Sequence, residues 1–438
     1  MPANRSAFSN DAHGWAELLP PRNPGAPFRG AQSSRWAVIG AGFTGLACAR
    51  RLAELHPEDE IILLDARALA QAASGRNSGY AVACSHFPGP FDSTQIASYQ
   101  RINRINTAGL GMLREQVLAH GIDCQWHEQG FYHAAADQLS CQEAGHFEDY
   151  LQRLEIPHTA LDRDTLRDKL GTGWYTRGIH VQIGALLQPA ALVYGLAETL
   201  PDNVTLYENS PVTALQRGSN WQLQLPGNAR IDADRVLVTA NFEAAGLGLT
   251  RRYILGSTLS GSFTRILTEE ERASLGELKQ WGVLSLHGGG ATVRLTEDGR
   301  ISIRNTAEYH AGRLLSDRRL AQHQQIHREA FDHRFPQLSH VPFEYGWSGV
   351  EGISRNFTNF FQNPDRGLYL AGGYNGSGVS RGTAFGTALA EYACGEQSAL
   401  INDCLASPAA QWLPPRPLLD IGAWFTVRSR FRGVGRDR

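Results

Sequence analysis

The chain is short of lysine, of paired cysteine, of net charge and of long apolar runs, and each shortage removes a class of protein. Lys169 and Lys279 are the only lysines among 41 basic residues, a coding bias to which no mechanism attaches. Six cysteines (Cys48, Cys84, Cys124, Cys141, Cys394 and Cys404) stand apart with no Cys-x-x-Cys pair. That argues against a zinc site or a disulfide framework and for buried, reduced thiols. A formal net charge of −2 gives no electrostatic case for nucleic acid or another polyanion as the main partner. No uninterrupted 18-residue apolar run occurs, and the first thirty residues contain no apolar signal core. A cytoplasmic, soluble protein is the expectation.

The chain's 438 residues are 42% apolar and 19% charged, with 46 glycines. Such a length predicts two or three domains with sizeable cores, and the mix suits an α/β enzyme. Residues 1–34 carry Pro2, Pro20, Pro21, Pro24 and Pro27 and read as an extended surface arm. Order then begins with an apolar strand at 36–39, a glycine turn at 40–45, a helix to residue 55 and a second strand at 61–64 ending on Asp65. Further helices are expected at about 98–120, 147–170, 188–200 (Pro189 in its first turn) and 317–335. Residues 124–134 resemble strand material, and short strands follow at 204–207, 211–215, 221–225 and 230–239. A hairpin turns at Glu297-Asp298-Gly299 between 292–296 and 300–305. Near the end, a strand at 368–371, the loop Gly372 to Gly378 and a helix over about 380–394 repeat the opening grammar of strand, glycine loop and helix.

Gly40, Gly42 and Gly45 form a GxGxxG at the mouth of a helix, where amide N–H groups and the helix dipole hold a pyrophosphate. Asp65, twenty residues past Gly45, stands where a carboxylate accepts from the ribose hydroxyls of an adenine dinucleotide. FAD and NAD share this unit, and two later features favour flavin. The loop Ala73-Ser-Gly-Arg-Asn-Ser-Gly79 lets backbone approach the far end of a dinucleotide. The loop at 372–378 opens a helix whose positive end stabilises charge on a reduced isoalloxazine. Either loop alone would read as a surface turn.

These motifs resemble those of the FAD-dependent amine and amino-acid oxidoreductases related to D-amino-acid oxidase, over nearly the whole chain. The resemblance is nearest to the gamma-glutamylputrescine oxidoreductase branch, with its Pro-containing arm, GxGFTGL-type fingerprint and ASGRNGG-type loop. It implies pyrophosphate contacts at Gly40, Gly42, Phe43, Thr44 and Gly45, and ribose contact at Asp65 beside Ala66 and Arg67. It implies flavin-side contacts at Ser74, Gly75, Arg76, Asn77, Ser78 and Gly79, and adenine contact at the backbone of Val212. The late stretch corresponds to Gly373, Gly376, Ser377 and Gly378, with Val379 and Ser380 near the pyrimidine edge. Ser78 replaces a glycine of that branch, and Ser377 stands where some relatives have His. Some relatives attach FAD through a His in the early loop; none lies between Ala72 and Gly79, so non-covalent FAD is expected.

The fold implied is α/β, a Rossmann-like FAD-binding domain interleaved with an antiparallel-sheet substrate domain. The expected division is an arm at 1–29, a FAD-binding domain at 30–105, 185–250 and 345–400, a substrate domain at 106–184 and 251–344, and a tail at 401–438. The chemistry implied is hydride loss from a small amine or amino acid to flavin N5, followed by imine hydrolysis, with no obligatory acid or base. Substrate-binding candidates are His86, Arg304, Tyr345, Trp347 and Tyr374; no catalytic residue is assigned. Arg304 suits a substrate carboxylate if its strand face meets the flavin, and is a solvated arginine if it does not. His86 reads better as a satisfied structural histidine, and the aromatics, taken without the resemblance, as core. Oxygen and a quinone both remain open as electron acceptor. In the tail, Leu418, Ile421, Trp424, Phe425 and Phe431 recur beside Arg428, Arg430, Arg432 and Arg436. They make either a basic helix for an anionic membrane surface, as a quinone-linked dehydrogenase would use, or a helix docked on the protein. The sequence also admits a tRNA-modification oxidoreductase of the same fold, which needs a basic face, and an NAD-dependent dehydrogenase.

Overall fold

A computed structural model describes residues 13–250 and 252–438. Pro2 and the rest of residues 1–12 lie outside the described residues, as do the side chains of Arg430 and Arg432.

The strand Ala31–Ile39 alternates exposed and half-buried residues until Arg35, then runs buried from Trp36 to Ile39. Continuous burial is what a central parallel strand requires, and this one lies between two parallel neighbours. Trp36 pairs with Ile61 on one side and with Arg235 on the other. The first sheet runs in the order Phe360–Asp365, Leu368–Gly372, Arg230–Val238, Ala31–Ile39, Ile61–Leu64, Val204–Tyr207. All neighbours in it are parallel except the first pair. The antiparallel hairpin Ala214–Arg217 and Trp221–Gln224 branches off this order, Trp221–Gln224 pairing with the first half of the interior strand Arg230–Val238. Helices Phe43–Leu55 and Gly378–Cys394 share one apolar core on this sheet, through Leu46, Leu52, Phe385 and Leu389.

A second sheet runs Phe343–Ser354, Ile254–Thr264, Ile301–Glu308, Thr292–Leu295, Trp281–Ser285, Phe131–Ala135, Arg177–Val181, His158–Asp162. It is antiparallel except where Trp281–Ser285 meets Phe131–Ala135. Val293, Leu295, Ile301 and Ile303 bury against Phe331 and Phe335 on and just beyond the helix Asp317–Arg334. Side chains alternate across a strand, so Arg294, paired with Ser302, and Arg304, paired with Thr292, occupy the opposite face. That face meets the first unit, because Arg294 reaches the carbonyls of Gly79 and Leu187.

Three stretches depart from the sequence expectation. The region read as one helix over 147–170 is the helix Gln138–Arg153, the strand His158–Asp162 and the helix Arg163–Leu170. Glu155 takes a left-handed φ of 54° two residues before Pro157, and that breaks the run. The N-terminal arm is not simply extended, since Gly14–Glu17 forms one helical turn with Gly14 and Trp15 buried. The 124–134 segment narrows to Phe131–Ala135. The strand Phe343–Ser354 pairs with Ile254–Thr264, so the division expected at 345 falls inside a strand of the second sheet.

Among the described residues no helix is long and apolar enough to cross a membrane. The tail carries the helix Leu418–Arg432, on which Leu419, Ala423, Val427 and Phe431 form a half-buried stripe. Beyond it, Asp437 Oδ2 accepts from Ser285 Oγ at 2.9 Å, and Arg334 donates to the carbonyls of Asp437 and Arg438. The tail is thus seated on the second sheet's unit.

Candidate functional site

The helix Phe43–Leu55 begins where Gly40 turns the chain with φ 104°. A Cβ on Gly45 would lie 1.6 Å from the Gly40 carbonyl oxygen, so only glycine lets helix and turn close together. Among the described residues, six other helices start on a side-chain cap: Asp137, Asp162, Gln188, Thr268, Ser316 and Ser398. The two helices opening from the glycine loops, behind Gly42 and Ser377, have none. Gly42 has no side chain to offer and the Ser377 hydroxyl makes no cap hydrogen bond, which leaves N–H groups at both mouths able to meet an incoming anion.

Three hydrogen-bonded links bring the distant loops together. Thr44 Oγ1 donates to Tyr374 Oη at 2.9 Å, joining first loop to last across 330 residues. Phe43 N donates to Ser74 Oγ at 3.1 Å, joining first loop to second. Trp347 Nε1 donates to the Arg76 carbonyl at 3.1 Å, joining the second loop to the second sheet. The helices close in support, since a Cβ on Gly386 would meet the Thr44 carbonyl oxygen at 2.1 Å.

Asp65 is built to receive polar partners. Its carboxylate accepts from Ala41 N at 2.8 Å and Arg67 N at 2.9 Å. Burial nevertheless pushes its acidity weaker than usual, against the pull of those two amides. The segment carrying Val212 is tied in beside it, Ser210 N donating to the Asp65 carbonyl and Asn209 N to the Arg67 carbonyl. Arg67 itself pairs with Glu243 at 2.5 Å. A cavity of about 470 Å³ lies alongside, lined by Arg22, Ala66, Arg67, Gln71, Arg76 and Leu314 among others.

In the second loop Asn77 Oδ1 accepts from Gly79 N, and its Nδ2 donates to the Ser74 carbonyl, which folds the loop on itself. Gly75 packs on the Ala70 carbonyl, Arg76 Nε donates to the Gln71 carbonyl, and Arg294 holds Gly79 with a longer contact to Ser78. In the late loop Gly373 and Gly376 have φ of 75° and 89°. Sequence reading missed its braces: Asn241 accepts from Gly373 N, and Asn359 and Asn375 both donate to the Gly373 carbonyl. Asn241 and Asn375 themselves take positive φ, the one sequence signal available, since Asn tolerates that region. Gly378 and Val379 open the helix, where Ser380 Oγ is buried without a hydrogen-bond partner among the described residues.

The five substrate candidates separate. Arg304 shares the inward sheet face with Arg294 and donates to Thr292 Oγ1 at 2.7 Å. Tyr345 and Trp347 lie on that face opposite Phe263 and Gly261, with Tyr345 against the Arg300 guanidinium at 5.4 Å. Tyr374 stands inside the first unit, bonded to Thr44 and packed with Phe385. His86 lies away from them, its ring 4.9 Å from Phe147 and 6.2 Å from His133, and burial pushes it down to about 4. Sequence reading also passed over Arg294, Trp15 and Phe263, which meet on the same face.

Comparison with known proteins decides the family. The family described as DAO, FAD dependent oxidoreductase, matches residues 35–392. The chain belongs to this family. It is an FAD-dependent oxidoreductase. Among curated relatives of this flavoenzyme, a probable oxidoreductase OrdL of Rhizobium meliloti is 25% identical over 443 residues, covering 96% of this chain and 98% of the relative. The gamma-glutamylputrescine oxidoreductase of Escherichia coli is 26% identical over 372 residues, covering 82% and 83%. Among solved structures, glycine oxidase from Geobacillus kaustophilus superposes with a TM-score of 0.72 at 16% identity over 84% of this chain and 96% of that one, a likeness of fold. The residues present fit FAD: two helix mouths without a side-chain cap, a glycine cradle that a Cβ would fill and a half-buried carboxylate beside the first mouth.

Proposed function

We propose that this flavoenzyme oxidises the C–N bond of a small amine or amino acid, with FAD held non-covalently. The supporting observation is the junction of Thr44, Ser74 and Tyr374 beneath an inward sheet face of arginine and aromatic side chains. Gly40, Gly42, Phe43, Thr44 and Gly45 would take the pyrophosphate, Asp65 with Ala66 and Arg67 the ribose, and Val212 the adenine. The loop 74–79 and residues 373, 376–380 would surround the isoalloxazine. No residue of the loop 73–79 is a histidine, cysteine or tyrosine able to form a covalent link.

FAD supplies a two-electron acceptor for hydride. The protein then has to orient a neutral amine, exclude water and select among substrates. The face carrying Arg294, Arg304, Phe263, Tyr345 and Trp347 would do this through cationic and aromatic contacts, without a general base. Loss of hydride and a proton from the amine gives an imine, which water converts to a carbonyl compound and ammonia or a smaller amine. In an anaerobic screen of amines and D- and L-amino acids, at least one class should bleach the flavin absorbance, and admission of air or quinone should restore it. Bleaching by no amine or amino acid would overturn the proposal.

A second reading, a quinone-linked dehydrogenase at a membrane surface, has one observation in its favour. Opposite the docked stripe of the tail helix, Leu418, Ile421, Trp424 and Phe425 are 46–63% exposed and flanked by Arg416 and Arg428. Large exposed apolar residues beside arginines suit an anionic lipid surface. On this reading the protein sediments with phosphatidylglycerol vesicles and not with neutral ones, and a double change of Trp424→Glu and Phe425→Glu abolishes it. Equal sedimentation of parent and variant would exclude the helix as the contact.

A further inference from the structure

Two buried arginines converge where the helices Ile96–His120, Gly378–Cys394 and Ala399–Leu405 pack together, and no described residue neutralises either. Arg381, in the first turn of Gly378–Cys394, is 5% exposed, and Arg101, near the start of Ile96–His120, is 9% exposed. No carboxylate among the described residues lies within ion-pair distance of them. The Asp403 carboxylate, which acts on Arg101 from further off, is engaged by Arg104 at 2.7 and 2.9 Å.

The two cations share one neighbourhood, with Cys404 beside both. Burial pushes Arg381 down to about 10, and the Arg101 charge pushes the same way, which still leaves it protonated at neutral pH. The acids that act on Arg381 are the Tyr374 phenol and the Cys404 thiol, and burial keeps both of them neutral. Burying two like charges without a counter-ion is costly, and such a pair is retained where an anion offsets it.

The hydrogen bonds show which atoms remain for that anion. Arg381 Nε donates to Asn106 Oδ1 at 3.0 Å and Nη2 to Ser85 Oγ at 2.9 Å, which fixes one edge of the guanidinium. Its Nη1 has no hydrogen bond among the described residues. Arg101 Nη1 donates to the Asp403 carbonyl at 3.1 Å and to Ser407 Oγ at 3.2 Å, leaving Nε and Nη2, the side-on fork that grips an oxyanion. Ser85 Oγ accepts from Asn106 Nδ2 at 3.0 Å as well as from Arg381, so both its lone pairs are engaged and its O–H can only donate. No acceptor for that O–H stands among the described residues. The free atoms are thus donors without exception, and Ser85 is only half-buried, which gives the notch an opening.

We propose that Arg381, Arg101 and Ser85 form a binding site for a tetrahedral oxyanion of the phosphate class, separate from the flavin and substrate sites. Its frame is rigid. A Cβ on Gly109 would lie 1.8 Å from the Ser380 carbonyl oxygen, so the two long helices meet backbone to backbone one residue from Arg381. The site rests on neither the amine-oxidising reading nor the nature of the substrate.

The test uses the FAD-loaded protein at fixed ionic strength, with inorganic phosphate exchanged for chloride. Saturating phosphate should raise the melting temperature by about 2–4 °C, and calorimetric titration should show phosphate binding at least tenfold more tightly than chloride. Arg381→Met and Arg101→Met should each weaken phosphate at least tenfold. Arg101→Met decides the matter if Arg381→Met does not fold, since Arg101 gives up bonds to one carbonyl and one hydroxyl only. Ser85→Ala should weaken phosphate severalfold. Arg114→Met, which removes an exposed arginine of the same helix paired with Glu128, should leave phosphate binding unchanged. Phenyl phosphate separates the sources: binding as tight as that of phosphate assigns the site to a phosphoryl group carried on a larger molecule, and its rejection assigns the site to the free ion. Equal stabilisation by chloride and phosphate overturns the proposal, as does phosphate binding that survives in both arginine variants. A loss in Arg114→Met as large as that in Arg101→Met would mark general charge screening and overturn it too.

Discussion

Gly45→Ala should yield a protein that purifies colourless and melts well below the parent. The added methyl would lie 1.6 Å from the Gly40 carbonyl oxygen and 2.8 Å from the Gly40 carbonyl carbon and Thr239 Oγ1. The nearest obstacles are backbone, so relief requires the turn and the helix to part. Overpacking of this kind costs roughly 1–3 kcal/mol in ordinary cores, and the upper end is expected here because no flexible side chain can absorb the clash. Parting the turn from the helix also displaces the first N–H groups, so affinity for added FAD should fall at least a hundredfold. Gly111→Ala is the matched control, in the helix Ile96–His120, where a methyl on residue 111 would meet nothing within 4 Å. It should be neutral or stabilising by about 0.5–1 kcal/mol. A yellow, FAD-saturable Gly45→Ala protein would refute the assignment of this cradle.

Glu208→Gln should release the N-terminal arm. The Glu208 carboxylate is 1% exposed and accepts from Arg22 Nη1 and Nη2 at 2.9 and 2.5 Å, Gly25 N at 2.8 Å and Leu69 N at 2.7 Å. Burial alone would push its pKa up, but the Arg22 guanidinium and the two amides outweigh burial and hold it below the usual glutamate range. Because the folded value is depressed, the stabilisation is fully present above the unfolded value of about 4.3. It is lost as pH falls through the folded value. At pH 7 the variant should lose about 2–3 kcal/mol, toward the low end for a broken buried pair because Arg22 is 26% exposed. Melting curves should begin to converge as the pH falls below the unfolded value of about 4.3 and go on converging toward the depressed folded one. A parent-to-variant gap that stays constant from pH 7 to pH 3 would contradict this account. The arm also carries Trp15, so limited proteolysis near residue 20 should quicken in the variant.

Legibility in the sequence followed how local each signal is. The opening strand, glycine turn and second strand were readable because continuous apolar runs and a glycine spacing are properties of neighbouring residues. The helix after Gln188 was equally plain: Pro189 sits at its start and Gln188 caps it. The strand Ile254–Thr264 was not legible. Its serines and glycines hide the alternation, and its burial comes from Trp347 on one side and from His323 and His327, bonded to Ser260 and Ser262, on the other. Arg294 was passed over, because only the distant carbonyls of Gly79 and Leu187 reveal that it is buried and turned inward. The glycine loops announced a cofactor from sequence; their asparagine braces and the meeting of Thr44 with Tyr374 required the three-dimensional arrangement.

The threading of the chain has a mechanical corollary. Strands of the first sheet come from residues 31–64, 204–238 and 360–372, and strands of the second from 131–181 and 254–354. Neither sheet can be excised as one continuous fragment, and every melting event in one pulls on connections belonging to the other. Heating should accordingly release flavin fluorescence and collapse the far-ultraviolet signal at a single temperature, and dissection into autonomous halves should fail wherever the cut is made.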